Sequence, residues 1–124
     1  MQDLQRYDGL FIGGSWRGQS LPRRDLRDPA TGEIIAHVPE ATEAEVDTAV
    51  RAAQDALCGP WRQMLPADRA LMLVRLADLI DHDIDRLAVL DVYTMGKPLA
   101  QARRDVGRTS AYFRFFAGIC DKLN

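Results

Sequence analysis

Asp81, His82, Asp83 and Asp85 crowd oxygen and nitrogen donors into one short stretch, the kind of grouping that a divalent cation would want. The register does not suit a calcium loop. Counted from Asp81, the sixth position is Arg86, where the sharp turn requires Gly, and the twelfth is Val92, where a bidentate Glu closes the shell. The run reads instead as a solvated turn in which Asp81 and Asp83 cap a helix. Gly96-Lys97 has the look of the end of a phosphate loop. Five positions earlier, however, stands Asp91 rather than Gly, and Pro98 replaces the hydroxyl that would hold magnesium, so the triplet reads as a helix stop and restart. A nucleophilic thiol needs an electropositive, partly exposed setting. Cys58 and Cys120 follow Leu57 and Ile119 at apolar helix positions, which makes them inert core or near-surface thiols. His37 and His82 have no Ser, Asp or Cys beside them in a triad-like arrangement. No catalytic, cofactor-binding or metal-ligating residue is assigned.

Tyr112, Phe113, Phe115 and Phe116 could form a stacking platform or a membrane contact. Their helical spacing argues first for core, with Phe115 off the stripe that Phe113 and Phe116 share and therefore open to a partner. Sixteen basic and eighteen acidic residues leave a formal charge of -2, without the basic excess of a nucleic-acid footprint. No stretch approaches the roughly 20 apolar residues that cross a bilayer, and the first residues lack the apolar run of a secretory signal. Two cysteines in no metal-type spacing point to a reducing cytoplasm, and the chain starts as a cytosolic protein would.

The elements that must position these residues follow from periodicity and turn chemistry. Leu10 to Ile12 and Ser15 to Arg17 flank Gly13-Gly14, a pair able to make the tight reversal of a two-residue hairpin. Asp25 to Arg27 and Ile34 to Val38 flank a Pro- and Gly-bearing turn and make a second strand pair. Thr42 with Glu45 forms a capping box, after which Val46, Ala49, Val50, Ala53 and Leu57 define one helix face up to Gly59-Pro60. Pro66 opens the next helix, with Ala70, Leu73, Val74, Ala77 and Ile80 on its face. Leu71, Leu76 and Leu79 widen that face, so the helix should be buried over much of its circumference. A third runs through Ile84, Leu87, Ala88 and Val92 to a left-handed exit at Gly96. The last carries Leu99, Ala102, Val106, Tyr112, Phe113, Phe116, Ile119 and Leu123, with Gly107 a possible weak point.

Read in order, Leu10-Phe11-Ile12-Gly13-Gly14-Ser15-Trp16, Asp28-Pro29-Ala30-Thr31-Gly32-Glu33, Pro60-Trp61-Arg62, Gly96-Lys97-Pro98 and Phe115-Phe116-Ala117-Gly118 run along essentially the whole chain. This series resembles the amino-terminal part of the aldehyde dehydrogenase superfamily. The resemblance implies an α/β fragment in which N-terminal β-hairpins precede about four amphipathic helices, like the first part of a nucleotide-binding domain without its parallel sheet. As domains, residues 1–124 make a single partial domain, a hairpin region over 1–40 and a helical region over 41–124. The family oxidises aldehydes to carboxylic acids with NAD or NADP: a Cys thiolate attacks the carbonyl, hydride passes to the nicotinamide, and a Glu-activated water releases the acid.

By that resemblance only structural roles transfer: Gly13-Gly14 as hairpin, Asp28-Pro29 and Gly32 as turn, Trp61 as core anchor, and Gly96-Lys97-Pro98 as helix junction. The family's nucleophile, general base and cofactor loop have no counterpart in these residues, and neither Cys58 nor Cys120 aligns with the nucleophile. The expectation is a truncated product, a sequence fragment or one piece of a split enzyme that binds no cofactor alone and is inactive alone. Its partner would be the missing remainder of the enzyme or a second copy of itself. An independent interaction module using the same apolar helices is the alternative. Either way, the faces of Val46 to Leu57 and Val106 to Leu123 should not be fully covered within one copy, because large exposed apolar patches mark association.

Overall fold

The computed structural model of the chain describes residues 9–18 and 20–122, so Leu123 and the first eight residues lie outside the described residues. The order of elements is β1 (Leu10–Ile12), β2 (Ser15–Arg17), β3 (Arg23–Arg27), β4 (Ile34–Pro39), α1 (Glu43–Cys58), α2 (Pro60–Gln63), α3 (Pro66–His82), α4 (Ile84–Met95) and α5 (Leu99–Ile119). Both strand pairs are two-stranded antiparallel hairpins, and α2 is a single turn, so two hairpins and four long helices make the α/β arrangement expected from the sequence. The chain divides into two compact units, Met1–Gln63 and Met64–Asn124. That boundary falls inside the helical region rather than between hairpins and helices.

In the first unit the β1–β2 reversal places Gly13 and Gly14 at φ of 60° and 80°. Two consecutive positive φ values are what the favoured hairpin turn demands and what a side chain resists. Phe11 and Trp16 are cross-strand partners with ring centroids 5.1 Å apart, yet both rings are more than half exposed. The β3–β4 hairpin closes over a turn in which the Asp28 side chain accepts from the Ala30 N–H at 2.8 Å and the Gly32 N–H donates to the Asp28 carbonyl, also at 2.8 Å. At the start of α1, the Glu45 carboxylate accepts from the Thr42 N–H at 3.2 Å while the Thr42 side chain accepts from the Glu45 N–H, completing the capping box.

The apolar stripe of α1 does not bury. Val46 and Val50 are each 52% exposed and Leu57 is 62% exposed, and α1 has no buried residue. Its half-buried positions are instead Glu45, Thr48 and Ala52, and the β1–β2 tip reaches it at Ala52, 3.7 Å from where a Gly13 Cβ would stand. Trp61, on α2, is 41% exposed and does not anchor a core. Among the described residues of this unit only Ile12 is buried.

The second unit is a three-helix assembly built on small residues. Ala77 on α3, Ala88 on α4 and Ala102 on α5 have no exposed surface, and Val106, Ser110 and Ala117 complete the buried set. Ile80, Ile84, Leu87 and Val92 pack against Ala88, Ala102 and Val106. Small side chains at a crossing let helix axes approach toward the short end of the usual 8–10 Å range. The expected α3 face of Ala70, Leu73, Val74, Ala77 and Ile80 is at least half-buried throughout. Leu71, Leu76 and Leu79 are more exposed, at 56%, 40% and 66%, because no element of this unit lies over that second side. Gly96 ends α4 at φ 69°, its N–H donating to the Val92 carbonyl at 2.9 Å, and α5 runs through Gly107 without interruption.

Candidate functional site

The residues with chemical potential are drawn into ion pairs that tie helix to helix. Asp81 lies in the last turn of α3, where its carboxylate stands 2.7 Å from Arg114 of α5; the same guanidinium reaches Asp78 at 2.7 Å. Asp83 sits at the junction of α3 and α4, but its carboxylate makes no capping bond and turns to Arg86, at 2.5 Å, and to His82, at 3.0 Å. Asp85 accepts from Arg103 Nε at 2.7 Å. The acidic run read as a capping turn is thus shared out among three arginines, and its side chains do not converge on one point.

These partners set the charges. Asp81 is held below the usual carboxylate range, by the Ser110 hydroxyl first and the Arg114 guanidinium next. Asp83 is held low by Arg86 and then His82. Lys97 reaches Asp105 at 3.1 Å and Asp91 at 3.4 Å and is raised, chiefly by Asp105. Gly96-Lys97-Pro98 is therefore the helix junction that the sequence indicates, and its lysine clamps the end of α4 to α5.

Cys58 ends α1 in the open rather than in a core, and the Cys120 thiol donates to the Phe116 carbonyl at 3.3 Å. Sequence reasoning missed the acids beside the histidines. His37 Nδ1 lies 3.0 Å from Asp25 Oδ1, and His82 Nδ1 lies 3.0 Å from Asp83 Oδ1. The first pair was available from hairpin register, since Asp25 and His37 are directly opposed. Among the described residues neither histidine has a Ser hydroxyl or Cys thiol on its other side, so each pair lacks the nucleophile of a triad.

A dinucleotide needs backbone amides exposed at a helix start and small residues that let the pyrophosphate approach. These residues do not fit it. The positive-φ glycines stand in hairpins, a loop and the α4 exit, at no start of a long helix. The first turns of α1, α3 and α4 carry Glu43 and Glu45, Asp68 and Asp85, which repel phosphate. At the start of α5 the adjacent cation, Lys97, is already held by two carboxylates.

The aromatic group divides differently from the expected stripe. The covered side of α5 is Ala102, Val106, Ser110 and Ala117, with Phe113 half-buried beside them. Phe116 joins Phe115 instead, ring centroids 5.4 Å apart and edge to face, and both are more than half exposed together with Tyr112. Thr109, Tyr112, Phe113 and Phe116 border a shallow hollow of about 430 Å³. Exposed apolar surface is what these aromatic residues present.

Comparison with known proteins gives that surface a context. An aldehyde dehydrogenase from Emericella nidulans is 38% identical over 117 residues, which cover 94% of this chain and 24% of the relative. An aldehyde dehydrogenase structure from Bacillus cereus superposes with a TM-score of 0.89 at 35% identity, over 94% of this chain and 24% of that one. A betaine aldehyde dehydrogenase from Staphylococcus aureus, in complex with NAD+, gives a TM-score of 0.89 at 29% identity over the same shares. The chain spans about a quarter of the length of the relatives it matches and corresponds to their amino-terminal segment. The model of the aldehyde dehydrogenase family matches residues 16–124, and the chain belongs to that family.

Proposed function

We propose that these residues are the structural first quarter of an NAD- or NADP-dependent oxidoreductase that converts an aldehyde to a carboxylic acid in the cytoplasm. The nucleophile, general base and cofactor loop would be supplied by sequence outside this stretch. The observation that carries the reading is the family match over residues 16–124, together with an alignment to the Emericella enzyme that covers 94% of this chain and 24% of that relative. NAD is the cofactor seen with the Staphylococcus aureus relative, and the misfit of a dinucleotide to the described residues supports binding elsewhere. Among those residues no helix is long and apolar enough to cross a membrane.

In this reading the 124 residues are inactive alone, and the exposed sides of α1 and α5 are surfaces on which the rest of the enzyme rests. Burying one large apolar side chain contributes about 1.5–3 kcal/mol, so Val46, Val50, Leu57, Tyr112, Phe115 and Phe116 together are a substantial drive to associate.

The test is to express the chain alone and together with the carboxyl-terminal three quarters of the Emericella relative, and to follow NADH formation from an aldehyde. The chain alone should give no NADH, and the pair should co-purify and turn over. Turnover by the isolated chain, lost on Cys58→Ser or Cys120→Ser, would overturn the proposal. A chain that saturates its apolar faces in a stable homodimer and rejects the complement would overturn the assignment of partner.

A further inference from the structure

We draw no further inference here: the strongest candidate, the exposed aromatic patch of Tyr112, Phe115 and Phe116 on the outer side of α5, has nothing in the structure to show what covers it.

Discussion

The two units spend similar lengths of chain on different kinds of order. Up to Gln63 the structure is local: two hairpins, each closed by its own turn, a capped helix, and Ile12 as the single buried residue among those described. From Met64 onward the order is tertiary, with three helices meeting at Ala77, Ala88, Ala102, Val106, Ser110 and Ala117 and held by Arg114, Arg103 and Lys97. Local signals fix where elements begin and end, whereas covered side chains make an element's stability depend on its neighbours. An isolated two-stranded hairpin is at best marginal in water. The sharpest way to break the contrast is to separate the units. A peptide of residues 64–124 should keep helical circular dichroism and unfold cooperatively in urea, and a peptide of residues 1–63 should show no cooperative transition. A cooperative transition in the peptide of residues 1–63, with none in that of residues 64–124, would reverse the comparison.

Point substitutions sharpen it next. Ala102→Leu forces an isobutyl group into a position with no exposed surface, and overpacking of this kind costs about 1–3 kcal/mol. Ala53→Leu makes the same chemical change on the outer face of α1 and should stay within about 0.5 kcal/mol of the parent. Midpoints of urea unfolding at constant slope measure both. Equal losses at the two sites would mean that α1 is covered after all.

What could be read without coordinates obeys the same division. Gly13-Gly14, the Thr42–Glu45 box, Gly59-Pro60, Pro66 and Gly96 act within a few residues of themselves, and every element they imply is present. Coverage is different, since an apolar stripe states which side would leave water and not what is there to receive it. Leu71, Leu79, Val46 and Phe116 are as apolar as any buried residue, and they remain exposed because nothing in their unit lies over them. On α5 the covered side was written in small residues, Ala102, Ser110 and Ala117, at spacings of eight and seven, and the large aromatics drew the stripe away from it. In the candidate site, the helix junction at Gly96-Lys97-Pro98 was legible because it is local. The partners of Asp81 and Asp85 lie 33 and 18 positions away, on α5, and only helix packing brings them close.

Glycines give a smaller effect whose sign differs with backbone conformation. Gly96→Ala puts a Cβ at φ 69° and should lower stability by about 1–2 kcal/mol. Gly118→Ala, inside α5 with nothing within 4 Å of the new methyl, should raise helix stability by roughly 0.5–1 kcal/mol. Thermal melts of the two variants, displaced to opposite sides of the parent, are the expected outcome, and a shared direction would contradict the assigned conformations.

The smallest effect is electrostatic and is read in the helical unit by pH. Asp81 and Asp83 have folded-state pKa values lowered below their ordinary ones by Ser110, Arg114, Arg86 and His82. A lowered carboxylate contributes stability that is fully present above the ordinary value of about 3.9 and is lost as pH falls through the folded value. Lys97 is raised, so its contribution is present below about 10.4 and is lost as pH rises through its higher folded value. Between these limits the helical unit should be insensitive to pH through these three groups. The carboxylate partners are partly exposed ion pairs of modest worth, so the acid loss is a gradual decline rather than a collapse. Arg114→Ala removes one of the two groups that hold Asp81 low, so the melting temperature of this variant should fall less steeply than the parent's between pH 4 and the acid limit of folding. Parallel acid limbs in parent and variant would show that Arg114 does not stabilise the Asp81 carboxylate, leaving the Ser110 hydroxyl as the group of α5 that holds it low.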